Sequence, residues 1–151
     1  MPLIHNVSSV QRLLDFARLV YSLGLNTLVA SKVYGAAAQS GVPEAMRLAF
    51  KLNRGLLVLS DLEDALELLK PDVTLLVSAE HAVEYIDPFN PPVYSGRVLI
   101  AFNGGDPDFS AGEARFGRPV YVKGVSGRLG AIAEASLILY PLLLQKRLGE
   151  A

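Results

Sequence analysis

The chain has 151 residues, of which 51% are apolar and 19% charged, and it contains no cysteine. That composition is one of a single globular domain, residues 1–151, and it excludes disulfide scaffolds, cysteine-ligated metal sites and thiol chemistry. With 14 basic against 15 acidic residues, the molecule as a whole does not attract a polyanion, so a nucleic-acid partner would have to be held by a local patch. No apolar run reaches the roughly 18 residues that span a membrane, and the basic start and apolar run of a signal peptide are missing, so the expected setting is the cytoplasm.

Along the chain, short apolar runs alternate with amphipathic stretches. Pro2 to His5 reads as extended. Ser8 or Ser9 then caps a helix carrying Leu13, Leu14, Ala17, Val20 and Tyr21 on one stripe, which Gly24 closes. Asn26 to Ala30 reads as a buried strand. A second helix starts near Pro43 and runs through Met46, Leu48, Ala49 and Leu52 before Gly55, with Pro43 and Glu44 in its first turn. Leu56 to Leu59 is a strand, and Asp61 to Leu69 a helix capped by Ser60 or Asp61 and ended by Pro71. Val73 to Val77, Val98 to Phe102 and Pro119 to Val122 are further strands. Asp87 to Gly96 is a proline-rich loop, and a C-terminal helix spans Leu129 to Arg147 with Lys146 and Arg147 in its last turn. Strands that are apolar on both faces, separated by helices, predict an α/β fold: a parallel sheet covered by helices on both faces.

Ligands of such sheets bind outside the carboxyl ends of the strands. This directs attention to Ser78 and Ala79 after the third apolar strand, to Asn103, Gly104 and Gly105 after Phe102, and to Lys123, Gly124 and the stretch to Gly130 after Val122. Glycines there let a ligand approach the main chain. Several sharper motifs are absent. Gly124, Gly127 and Gly130 do not have the dinucleotide-binding spacing, no nucleophile elbow surrounds Ser126, and there is no Walker lysine. His5 and His81 stand apart without cysteine partners, a poor transition-metal set, and no metal site is assigned. Asp106 and Asp108 suit a hard cation such as magnesium, but turn chemistry explains the same residues and is preferred. Arg18 on the first helix and Arg128 in the glycine loop are either solvated cations or clamps for phosphate and developing negative charge.

Taken together, Leu3 to Val7 with the Arg18 helix and Leu23 to Ala30, Val98 to Gly105, and Pro119 to Tyr140 resemble the SpoU/TrmH branch of the SPOUT superfamily. The resemblance covers nearly the whole chain and is most specific in the last segment. It implies an S-adenosylmethionine-dependent RNA methyltransferase acting on ribose or base of a structured RNA (tRNA or rRNA), with a C-terminal trefoil knot and a homodimer. On that basis Arg18 and Arg128 are the catalytic candidates, and Arg12, Arg18 and Lys32 the RNA-binding ones. Ser78, Ala79, Phe102, Asn103, Gly104 and Gly105 would enclose the methyl donor, together with Val122, Lys123, Gly124 and Leu129. The motifs also depart from the family. The asparagine and glycine that precede the arginine fall on Arg12 and Leu14, the glutamate of the second motif on Gly105, and the Ser-Leu-Asn of the third on Arg128, Leu129 and Gly130. These departures keep open a catalytically inactive RNA-binding or assembly protein. A magnesium-dependent nuclease or phosphotransferase using Asp61, Asp106 and Asp108 is a third reading.

Overall fold

A computed structural model describes residues 1–149. Its core is a seven-stranded sheet in the order β3-β2-β1-β6-β4-β7-β5. The strands are β1 (Pro2–Val7), β2 (Thr27–Val33), β3 (Gly55–Leu59), β4 (Val73–Val77), β5 (Glu84–Ile86), β6 (Val98–Asn103) and β7 (Arg118–Val122). Each pairs with its neighbours in parallel. The connecting helices are α1 (Val10–Ser22), α2 (Val42–Lys51), α3 (Leu62–Leu69) and α4 (Ala131–Leu144). The α/β class and the parallel sheet with helices on both faces are as the sequence predicts.

The period of two along each strand divides the core. Ile4, Leu28, Ala30, Leu75, Val77, Ile100 and Phe102 point to the side occupied by Phe16, Ala17 and Val20 of α1, Ala49 of α2, and Ala135 and Ile138 of α4. Leu3, Val29, Leu76, Leu99 and Ala101 point to the other side, where Leu62 and Ala65 of α3 meet Phe109 of a loop. One face therefore carries a layer of helices, while the other has a single short helix and relies on the segment after β6 for cover.

Local signals act as expected at several ends. The Ser9 side chain accepts from the Arg12 N–H at 3.1 Å. Gly24 takes φ +84° and the Leu25 N–H closes on Val20 O at 3.3 Å, the reverse turn that ends α1. Asp61 and Asp64 form a capping box at α3.

Other boundaries differ. β2 runs on to Val33 and β1 to Val7, because parallel pairing of Val7 with Val33 extends the ladder past the apolar run. A π-helical turn, Ala37–Gly41, precedes α2. β5 falls in a stretch to which the sequence assigns no element: it is only three residues long, and Glu84 and Tyr85 are exposed. The last helix is shorter than the expected Leu129 to Arg147. It starts after Gly130, whose φ of +96° is not helical, and Pro141 withholds an N–H from its interior. Lys146 turns left-handed at φ +54°, so the two cations lie beyond the helix and not in its last turn. Among the described residues no helix is long and apolar enough to cross a membrane.

Candidate functional site

The chain winds outward from β1 through β2 to β3, then returns by α3 to the other half of the sheet, so the winding reverses between β1 and β6. A crevice forms at the carboxyl ends of strands that meet at such a reversal. His5 of β1 is in register with Asn103 of β6, and a cavity of about 510 Å3 opens just beyond them, lined by Arg12, Asn103, Gly105, Asp106 and the run from Arg128 to Ala133.

Two guanidinium groups define the inner wall. Arg12, oriented by the Ser9 cap, donates from Nη1 to Gly104 O at 2.6 Å and lies 3.8 Å from Asp106 Oδ1. Arg128 donates from Nη2 to Gly105 O at 2.6 Å and to Asn103 O at 3.3 Å, and from Nη1 to Asp106 O. The buried Asn103 side chain accepts from the Gly105 N–H at 2.8 Å, and the Gly104 N–H donates to His5 O at 2.7 Å. The turn after β6 is thereby held from both sides. A Cβ at Gly105 would come within 2.5 Å of Asn6 Nδ2, so the family glutamate that aligns here has no room unless Asn6 moves. The opposite wall is the first turn of α4, whose N-cap Gly130 supplies no side-chain acceptor and leaves helix N–H groups free for a ligand.

The expected site residues fall into separate groups. Arg12, Asn103, Gly105, Arg128 and Leu129 line the cavity. Arg18 does not: it lies exposed on α1, 3.2 Å from Asp15 Oδ1. Lys32 is exposed at φ +50°, and its N–H donates to Ser60 O at 3.1 Å. Ser78, Phe102, Gly104 and Val122 are buried, with Phe102 packed against Phe16 at 5.5 Å between ring centres. Ala79 is half-buried against the core, Lys123 lies 3.9 Å from Asp87, and Gly124 faces open space. Main-chain geometry at the edge was legible from sequence, but which side chains converge was not. Ile132 and Ala133 are additional lining residues, found by the fold and by no motif, and Asp106, read from sequence as a turn residue, lines the cavity as well.

The carboxylates and histidines are engaged elsewhere. Asp61 accepts from the Leu62 N–H at 2.8 Å. Asp108 accepts from the N–H groups of Phe109 at 2.6 Å and Glu80 at 3.0 Å. Asp106 has a side chain 99% exposed. The three do not assemble, and among the described residues no three His, Cys, Asp or Glu side chains are grouped to hold a metal. His81 contacts Phe109 O through Nε2 at 2.9 Å. His5 is completely buried, with Nδ1 2.8 Å from Ser31 Oγ and Nε2 2.6 Å from Glu113 Oε2. Burial pushes the Glu113 carboxyl up, but the Ser110 N–H and the His5 contact outweigh it and hold the group below its usual range.

The loop from β7 to α4 hangs on a buried node. Tyr121 Oη lies 2.7 Å from Glu134 Oε2 and 2.8 Å from Gly127 O, and it accepts from the Leu129 N–H at 2.9 Å. A phenol has one proton to give. Burial raises the Glu134 carboxyl above its ordinary value despite opposition from Tyr121 and Arg128, and burial followed by the Glu134 contact pushes Tyr121 up to about 12. Tyr121 Oη gives its proton to Glu134 Oε2, and burial makes the Glu134 carboxyl hold a proton to higher pH than an exposed carboxyl does. Because the native state then holds the carboxyl proton more tightly than the unfolded chain, stability falls as pH rises from the ordinary carboxyl value through the raised one. Glu134→Gln keeps an acceptor for Tyr121 and cannot ionise. Its thermal melt is expected to coincide with that of the natural protein in acid and to lie above it once that window is passed; a variant less stable at neutral pH overturns the assignment.

The comparisons with known proteins divide fold from function. AviRb of Streptomyces viridochromogenes, a SpoU methyltransferase solved in complex with AdoMet, superposes with a TM-score of 0.72 at 16% identity, over 96% of this chain. This chain spans 59% of the AviRb chain. The TrmH/SpoU tRNA modifying enzyme of A. aeolicus superposes at 0.66 and 12% identity, over 97% of this chain and 74% of that one. At such identities the likeness establishes a SpoU-like fold and nothing more. The sequence relatives carry other names. The chain is 54% identical over 143 residues, 95% of its length and 92% of the relative's, to "Putative type II restriction enzyme ApeKORF2002P" of Aeropyrum pernix. It is 30% identical over 139 residues, 92% of each chain, to the protein with the matching name MjaORF1200P in Methanocaldococcus jannaschii. These names overturn the expectation of an RNA methyltransferase and RNA-modifying transferase, as does the family model, described as a nuclease, that matches residues 35–141. On a SpoU-like scaffold, the chain belongs to the RecB-family nuclease family DUF2122.

Proposed function

We propose that this chain acts on nucleic acid and holds an adenine-nucleoside ligand, with S-adenosylmethionine the first to test, in the cavity between the Asn103 to Asp106 turn and the start of α4. The observation that carries this reading is the cavity's make-up: about 510 Å3 of space between main-chain carbonyls clasped by arginine and an uncapped helix start. Gly130, Ala131 and Ala133 leave the main chain accessible, and a Cβ added at Gly130 would meet nothing within 4 Å. Such walls offer donors and acceptors to a ring edge and a ribose. The AdoMet complex of AviRb is support from a fold neighbour.

Isothermal titration with S-adenosylmethionine, with adenosine and inorganic phosphate as separate arms, is expected to give saturable binding of the nucleosides. Arg128→Ala, which releases the turn, should weaken it about tenfold or more. Binding of phosphate alone, or of nothing, overturns the reading. The C-terminal knot is part of the same proposal. It is supported by the fold neighbours and by the C-terminal tail running along the loop before β6, where Tyr94 N–H donates to Arg147 O at 2.7 Å and Gly149 N–H to Tyr94 O at 2.6 Å. A crystal structure of the complex would test it through the path from Gly104 to Gly130, and an unthreaded path would remove it.

The family description favours a second reading, phosphodiester cleavage. The carboxylate free for that chemistry is Asp106, which lines the cavity beside Arg12. Cleavage of DNA or RNA in magnesium is expected to disappear in Asp106→Asn; cleavage that survives the substitution assigns the chemistry elsewhere.

A homodimer and a cytoplasmic setting complete the proposal. Apart from the buried Glu134 and the exposed Ser136, α4 is apolar, and Leu137, Tyr140 and Leu144 remain exposed on its outer stripe, as on a helix that needs a second partner. Sedimentation of the purified protein should give a dimer that Tyr140→Asp converts to monomer. A monomeric natural protein refutes the dimer, and recovery of the protein with membranes on cell fractionation would refute the setting.

A further inference from the structure

At the outer edge of the sheet, away from the cavity, α2 and the turn behind it present Arg47, Phe50, Lys51 and Arg54. Their spacing of three, four and seven residues sets them along one side of a helix and its exit. Phe50 is 89% exposed and Met46 45%, although a lone phenylalanine gains nothing from facing water. Beside it, Met46, Ala49, Phe50 and Leu56 line a mostly apolar hollow of about 660 Å3, flanked by Arg47 and Arg54. Arg54 is braced by Asn26 Oδ1 at 2.5 Å. Between Val42 and Leu59, Glu44 is the single acidic residue against the three cations, and it stands 3.9 Å from Arg47. In a chain whose formal net charge is −1, this is a local basic patch with an aromatic ring at its centre.

We propose that this surface binds single-stranded nucleic acid, with a base stacked on Phe50 above the apolar hollow and neighbouring phosphates on Arg47, Lys51 and Arg54. A protruding ring needs an unpaired base to stack on, and cations spaced along a helix side suit the charges of a backbone. Charge complementarity selects a polyanion over a neutral apolar segment. The inference extends the nucleic-acid reading given above, but it uses no residue of the cavity, so its test can fail while nucleoside binding stands, and the reverse.

The chain contains no tryptophan, so Phe50→Trp creates a single reporter at an exposed position. Titration with a fluorescein-labelled 15-residue oligothymidylate at low salt is expected to quench the tryptophan saturably, with the same midpoint as the oligonucleotide's anisotropy. Affinity should fall steeply with salt, and by about tenfold in Phe50→Ala and in Phe50→Leu. The Leu variant keeps the apolar surface that a protein partner would use. Circular dichroism and a thermal melt verify that each variant is folded. Three results overturn the proposal: no binding, binding with unquenched tryptophan, or a concentration-dependent rise in mass that Phe50→Ala abolishes, which would give the surface to a second copy of the chain.

Discussion

Arg128 reaches across from the loop before α4 to the carbonyls of Asn103, Gly105 and Asp106, and the shape of the ligand edge depends on that clasp. Carbonyl groups at the end of a strand have no ladder partner and must find donors. Here a guanidinium supplies them in a planar fork, in charge-assisted bonds stronger than those between neutral groups. Arg12 adds a donor from the opposite side. The two loops that bound the cavity are thus locked to one another as well as to the sheet, and the Tyr121 node holds the far end of the same loop through Gly127 and Leu129. A cavity built this way is preformed, which lowers the ordering cost of taking a ligand.

The same clasp changes what the arginines can do chemically. Arg128, in the glycine loop, reads from sequence as either a solvated cation or a phosphate clamp, but in the fold it is occupied with main-chain oxygens. Asp61 and Asp108 are likewise consumed by capping and turn bonds. What lines the cavity outside that clasp is the uncapped start of α4 and the exposed Asp106 carboxylate, 3.8 Å from Arg12 Nη1. A SpoU-like scaffold in a family described as nuclease is therefore no contradiction in physical terms. The scaffold provides a crevice at the winding reversal, and the chemistry depends on which few side chains are left free there.

How far the sequence could be read depended on the range of the interaction. Ser9, Gly24 and Asp61 act on partners within a few residues, and each was legible as a cap or a stop. The alternation of Leu3 with Ile4 and of Leu99 with Ile100 follows from strand geometry alone, so the two-sided core was legible too. Arg12 and Gly104 lie 92 residues apart, and no local pattern announces their bond. Gly105 shows the same limit: it reads as a flexible turn residue, whereas its bareness serves the close approach of Asn6. The exit from α4 was misjudged because the backbone of Pro141 and Lys146 overrides weak local preferences there, and β5, which no local pattern marks, forms by pairing with β7.

The buried His5 shows how the thinly covered face of the sheet is closed. A carboxylate only accepts, so the Nε2 beside Glu113 carries a proton, while Nδ1 meets the Ser31 hydroxyl at 2.8 Å. Phe109 stacks on the imidazole at 5.8 Å between ring centres, and Glu113 turns its second oxygen to the Ser110 N–H at 2.9 Å. One histidine in β1 thereby fixes both ends of the segment from Phe109 to Glu113, doing for this face what a packed helix does for the other. Since the same segment continues from the turn that Arg128 clasps, cover for the core and the wall of the cavity are parts of one structure. Loosening either end exposes Phe109 and Leu99 to water and frees the cavity rim, which ties the integrity of the site to the burial of the core beneath it.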